Sequence, residues 1–260
     1  MAAQLAARRR RTAARRALGK IVINEVRLAW RSPRGLLFGI VLPALLVVIF
    51  GELPKAQVHR SSLGGLTLFT VEVPVLLAFV IAAMALYSLP IPLAGYREQG
   101  ILRRLSITPA RPSWVLAAQV AVNLAFALAG LAIILIVGVA ALGESAPKSP
   151  GGFILAVLLS LAAVFAIGLT IAALARTAGS AYGIGVVTFV PLMFFAGLWF
   201  PRQEMTAWLA DVSEYTPLGA ASQATQDAIG GMFPPAALLL ALVGYAAFFG
   251  FAAARYFRWE

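Results

Sequence analysis

The chain has 260 residues, of which 61% are hydrophobic and 12% charged. A soluble domain is about 45–50% apolar and about 25% charged, so these figures exclude an ordinary soluble protein and point to helices that cross a membrane. With no cysteine and a single histidine, His59 in a polar loop, disulfides, thiolate sites and thiol catalysis are excluded, and no metal site is expected.

Lys and Arg outnumber Asp and Glu by 21 to 10, for a net charge of +11. In a membrane protein such an excess reads as asymmetry between the two sides, because basic residues accumulate in cytoplasmic segments. Nucleic acid is not an expected partner.

Residues 1–17 form a basic tail with Arg8, Arg9, Arg10, Arg11, Arg15 and Arg16. It is either a disordered orientation signal or a segment attracted to anionic lipid. The apolar run that follows lies too far along to read as a cleaved signal peptide. Residues 18–32 are predicted as an amphipathic helix. Leu18, Val22, Val26 and Ala29/Trp30 recur at helical spacing, with Lys20, Arg27 and Arg31 on another face, so the helix is expected to lie in the membrane interface. Ser32-Pro33 ends it.

Six spans follow. Span one is predicted at about 35–51, with a kink at Pro43. Span two covers about 66–94 and is interrupted by Pro74, Pro90 and Pro92. Glu72 lies near its outer end, either at headgroup level or facing a path through the membrane. A charged island at 96–109 comes next. Span three is about 113–142, with Trp114 as an interface anchor. Spans four and five, about 153–175 and 181–200, are joined by a very short turn. Residues 201–232 mix apolar and charged side chains and read as two short helices, either at the membrane surface or re-entrant, dipping in and out of it. Thr216-Pro217 is a helix start, and Gly230-Gly231 is a stop. Span six is about 233–254. With this topology 17 of the 21 basic residues fall on the side of the termini and the island, which places both termini and the island in the cytoplasm.

No nucleotide site is present. Gly19-Lys20 is the one Gly-Lys pair, Ala14 stands where a P-loop needs glycine, and Ile21 replaces the magnesium-binding hydroxyl. A membrane enzyme would need paired acids or a nucleophile with a base; no two ionisable groups of the spans are spaced to cooperate, so no catalytic residue is expected and the chain is expected not to be an enzyme by itself. The spans carry Glu72, Gln119, Asn123, Ser160, Thr170 and Thr188 as polar residues.

Projected as one helix, the island puts Ile101, Leu102, Leu105 and Glu98 within one arc, with Gly100, Arg103 and Arg104 opposite. An acid among apolar residues suits a helix docked in a protein groove that offers a basic or amide partner. The other reading is a solvated loop that obeys the charge rule. Phe189, Met193, Phe194, Phe195, Trp199 and Phe200 crowd the outer half of span five. They form either a lipid-facing aromatic belt or an outer hydrophobic gate.

These features together resemble the permease subunit of a type-2 ABC exporter, of the daunorubicin-resistance-like drug-efflux kind. The island Arg97-Glu98-Gln99-Gly100-Ile101-Leu102-Arg103-Arg104-Leu105, closed by Thr108-Pro109, resembles the family's Glu-x-Gly-x-x-x-x-Leu loop between spans two and three. Phe195–Pro201, Trp208-Leu209 and Tyr215-Thr216-Pro217-Leu218 resemble its Phe-Pro … Trp-Leu … Asn-Pro-Leu pattern, with threonine in place of the usual asparagine.

The resemblance implies an all-α integral membrane protein of six transmembrane helices. It has an elbow helix at 18–32 and short helices between spans five and six, all in one domain over 18–260. Arg97, Glu98, Gly100, Leu102, Arg103 and Leu105 would couple to a separate ATPase subunit, which holds the ATP and magnesium. Two permease chains would pair near spans one and five. Gly35, Gly39, Gly179 and Gly183 have the four-residue spacing that permits close approach, a spacing that also arises by chance in so Gly/Ala-rich a chain. Glu72, Phe194, Phe195, Trp199 and Phe200 would line the outer gate or path. The expected activity is export of an amphipathic drug-like or lipid substrate across the inner or plasma membrane. The alternatives are export of a lipid-linked polysaccharide and a non-transport assembly factor.

Overall fold

The computed structural model describes residues 19, 23, 25–28, 37–52, 68–101, 104, 112–142 and 146–257. Among these, regular structure is helical throughout, with no strand. Span one is a π-helical turn, Leu37–Val41, running into α1 (Leu42–Glu52). Span two is α2 (Leu68–Ala83), a second π-helical turn, Met84–Ser88, and α3 (Pro90–Glu98). Spans three to five are α4 (Pro112–Leu142), α5 (Pro150–Leu174) and α6 (Ala178–Ala196). A 3-10 turn at Arg202–Glu204, α7 (Ala207–Glu214) and α8 (Pro217–Gly230) then lead to span six, α9 (Ala236–Tyr256). Among the described residues, five helices are long and apolar enough to cross a membrane, and span one contributes a shorter apolar helix, Gly39–Ile49. The expected elbow is helical at its described residues 19, 23 and 25–28. The basic tail at 1–17 lies outside the described residues.

Both π turns stand just before a proline, Pro43 in one case and Pro90 in the other. Proline offers no N–H to the carbonyl four residues back, and its ring crowds that carbonyl. A wider turn moves the carbonyl aside. In span two, Leu89 N accordingly donates to Met84 O, five residues back, at 3.0 Å. The freed carbonyls of Ala85 and Leu86 face the neighbouring helices. A Cβ on Gly168 of α5 would stand 1.9 Å from Ala85 O, and one on Gly185 of α6 would stand 2.6 Å from Leu86 O. Glycine at these two positions is what allows spans four and five to close on span two. Span one meets span three in the same way, since a Cβ on Gly130 would stand 2.5 Å from Gly39 O. Lipid tails are as apolar as leucine, so this close fit is what draws membrane helices together.

Span two is the axis of the bundle. Among the described residues, seven of the nine largest fully buried side chains belong to it: Leu76, Leu77, Ile81, Met84, Leu86, Leu89 and Leu93. α9 packs along α5, and Thr170 Oγ1 ties the two by donating to Phe249 O at 2.9 Å. At the end far from the island, α8 packs onto α2, α5 and α6. The expected start and stop of α8 are both present. Thr216 Oγ1 accepts from Gly219 N at 3.2 Å, Pro217 is the first helical residue, and Gly231 closes the helix at φ +103°.

Candidate coupling hub and aromatic groove

Tyr96, Arg97 and Glu98 are the last three residues of α3. Successive residues on a helix point about 100° apart, so the three side chains fan out to different neighbours. The Tyr96 hydroxyl donates to both carboxylate oxygens of Glu25, at 3.2 and 3.1 Å. Gln119 Nε2 of α4 donates to the same carboxylate at 2.6 Å, and Asn123 Nδ2 supports Gln119 at its backbone oxygen, 2.8 Å away. Tyr96 therefore joins span two to the elbow and, through Glu25, to span three. Burial pushes the Glu25 carboxyl above its usual range, and the bonds from Tyr96 and Gln119 pull it back.

Arg97 turns to span four. Its Nη1 donates to the carbonyls of Ala172, Ala173 and Ala175 at 3.0, 3.4 and 2.8 Å. The last carbonyls of a helix have no donor within the helix, and that end carries partial negative charge, so a cation there satisfies both needs. The guanidinium also lies 5.2 Å from the centre of the Phe257 ring, in cation–π range. Glu98 turns to span five. Its Oε2 accepts from Ala178 N at 3.0 Å, at the positive end of α6, where Thr177 and Ser180 already form a reciprocal cap. Arg97 and Glu98 thus hold the two sides of the short turn between spans four and five, each at the helix end of opposite charge.

This geometry corrects the projection of the island as one helix. α3 ends at Glu98, and Gly100 has φ +66°. A new helical turn follows, with Arg104 N donating to Gly100 O at 3.1 Å. A left-handed residue breaks the 100° relation, so Glu98 does not share an arc with Ile101. The amide partner expected for Glu98 exists, and it belongs to this chain's own span five. Leu102, Arg103 and Leu105 lie outside the described residues.

A groove of about 500 Å³ opens between spans two and five, in the half of the bundle nearer Glu98. Its walls are Phe79, Tyr87, Ser88 and Ile91 on one side and Tyr182 and Phe189 on the other. Phe79 meets Phe189 edge-on, with ring centres 5.7 Å apart, and Tyr87 stands 5.1 Å from Phe189. Phe189, read from sequence with the outer aromatics, belongs to this groove, while Met193 is fully buried in the core.

The residues expected at the outer gate are only partly brought together. Phe194 and Phe195 stack edge-on at 5.5 Å, and Ser213 Oγ holds Phe195 O at 2.6 Å. Span five ends at Gly197, φ +100°, so Trp199 and Phe200 lie beyond it and are exposed. Glu72 is 5% exposed, and its Oε2 has no hydrogen-bond partner among the described residues. Nearby, Arg202 links α7 to α8: it pairs with Glu214 and bonds Gln223, and Gln223 in turn bonds Asp227 at 2.7 Å.

Among the glycines expected at a dimer contact, Gly39 is buried. A Cβ there would meet Phe126 and Met84 at 3.3 and 3.4 Å, so it serves contacts within the chain. Gly183 has nothing within 4 Å of an added Cβ, and Gly179 only Thr177 Oγ1 at 3.9 Å. Gly35 lies outside the described residues.

Sequence reasoning missed Glu25 and Tyr96. The signal was there for Glu25, which stands seven after Leu18 and three after Val22, an acid at the edge of the apolar arc of the elbow.

The apolar helices, the two short helices before span six and the charged island define a multi-pass membrane protein. Residues 16–230 match the ABC-2 type transporter family, and the chain belongs to it. It is a transport component embedded in the membrane, a permease and not a catalyst on its own. No curated protein matches the chain.

Proposed function

We propose that the chain is the membrane subunit of an ATP-driven exporter that moves an amphipathic, drug-like compound out of the cell. A separate ATPase subunit binds ATP and magnesium and docks on the island, which faces the cytoplasm together with both termini. A second permease chain completes the path, with the open face of span five, Gly179 and Gly183, toward the partner. One observation carries this reading. Glu98 joins the ends of the two helices that wall the aromatic groove, since it ends α3 and bonds the first amide of α6. A push on the island therefore reaches both walls at once.

The groove fits the substrate class. Its rings supply flat apolar area, and the hydroxyls of Tyr87, Tyr182 and Ser88 supply polar handles. Such a lining takes an amphipathic molecule that enters from the inner leaflet side. Phe194, Phe195, Trp199, Phe200 and Glu72 form the exit, closing behind the substrate.

The test is reconstitution with the cognate ATPase in vesicles and a screen of amphipathic compounds. The reading expects ATP-dependent transport and faster hydrolysis with substrate, both weakened at least several-fold by Tyr182→Ala or Phe189→Ala. Transport that proceeds without any ATPase would overturn it.

A further inference from the structure

A second cavity, of about 360 Å³, lies on the other side of the bundle, between the elbow, span one and span three. Val26 of the elbow and Ile40 of the first π turn form its sides. Ala121, Ala125 and Ala129 form its floor, with Phe126 beside them. These alanines recur every four residues and so lie on one face of α4, where all three are exposed. Small side chains there leave a furrow that runs along the span from the level of the elbow.

Apolar lining alone selects nothing in a bilayer, because an acyl chain gains no hydrophobic energy by leaving other acyl chains. Selection needs a headgroup contact, and the elbow supplies one. Arg27 follows Val26, is exposed, and forms no ion pair among the described residues. Lys20 and Arg31 add to the same basic face in sequence. On the other side of Val26, Glu25 is buried and bonded to Tyr96 and Gln119.

We propose that this furrow is a binding site for one anionic diacyl phospholipid of the adjoining leaflet. One acyl chain lies along Ala121, Ala125 and Ala129, and the phosphate meets Arg27. The bound lipid holds Val26, and with it the neighbouring Glu25, in the position that bonds Tyr96 beside Arg97 and Glu98. The site therefore senses membrane charge next to the hub. This inference does not rest on the transport reading, because binding is measured without turnover.

The experiment is native mass spectrometry of the delipidated full chain, in complex with its ATPase where one co-purifies, with added phosphatidylglycerol or phosphatidylcholine of matched chains. The expected result is a retained phosphatidylglycerol adduct, held about fivefold more strongly than phosphatidylcholine, the weight of one surface basic residue. Arg27→Gln, an exposed change that leaves packing alone, should reduce phosphatidylglycerol to the phosphatidylcholine level. Ala125→Trp and Ala129→Phe, both on the lipid-facing side, should displace either lipid, with a thermal melt confirming that each variant is folded. Equal retention of the two lipids by the wild type would overturn the proposal. So would adducts that persist in both folded furrow variants, or binding of glycerol phosphate alone as strong as that of the lipid.

Discussion

Arg97 and Glu98 show why a charged residue at a helix end is read best by where its neighbours end. Removing Arg97 leaves the last carbonyls of span four without their donor. Arg97→Ala is expected to lower stability by about 1–3 kcal/mol, the cost of stranding buried acceptors. Arg97→Lys should recover only part of that, since an ammonium cannot also lay a flat guanidinium against the Phe257 ring. Thermal unfolding in detergent checks both. Glu25 makes a prediction about pH. Its carboxyl titrates above the ordinary 4.5 when the elbow is docked, chiefly through burial. A raised carboxyl pKa adds stability that is full below the ordinary value and is lost as pH rises through the raised one. The elbow should therefore exchange amide hydrogens more slowly in acid than at neutral pH, after correction for intrinsic exchange, and Glu25→Gln should flatten that dependence. An unchanged dependence in the variant would show that Glu25 is not its source.

At the scale of elements, each π turn is the answer to a proline, and the carbonyls displaced in span two are answered by glycines on other spans. Gly168→Ala would place a methyl 1.9 Å from Ala85 O, so it is expected to cost about 3 kcal/mol or more. Gly244→Ala on span six meets nothing within 4 Å and should leave the melting temperature within a degree or two or raise it slightly. The contrast separates packing from simple loss of glycine. The long helices, the start of α8 at Thr216-Pro217 and the stop at Gly231 were legible because each is set by local chemistry. Hydropathy, a capping hydroxyl and a backbone that favours φ > 0 all act within a few residues. The groove was not legible. Tyr87 and Tyr182 are 95 positions apart, and they meet because Gly185 accepts Leu86 O, a fact of packing that no window of sequence contains. The single-helix projection of the island breaks for a nearer reason: helical periodicity takes Gly100 as one more helical residue, although its φ is +66°.

The described residues are arranged around span two, with Glu98 and the start of the island at one end and α7 and α8 at the other. The open face of span five is the surface on which a second chain is proposed to sit. Gly183→Trp fills that face without touching the described core. It should shift the permease toward monomer in light scattering of the detergent complex, while Gly244→Trp, on another exposed helix, should not. The account as a whole turns on Glu98 as the join between the island and both groove walls. Its most direct test is the ratio of substrate-stimulated to unstimulated ATP hydrolysis by the complex of permease and ATPase, compared for wild type, Glu98→Ala and Arg104→Ala. The ratio should fall to about one in Glu98→Ala, which no longer holds the Ala178 amide, and should stay at the wild-type value in Arg104→Ala. A wild-type ratio in a folded Glu98→Ala complex would contradict the account.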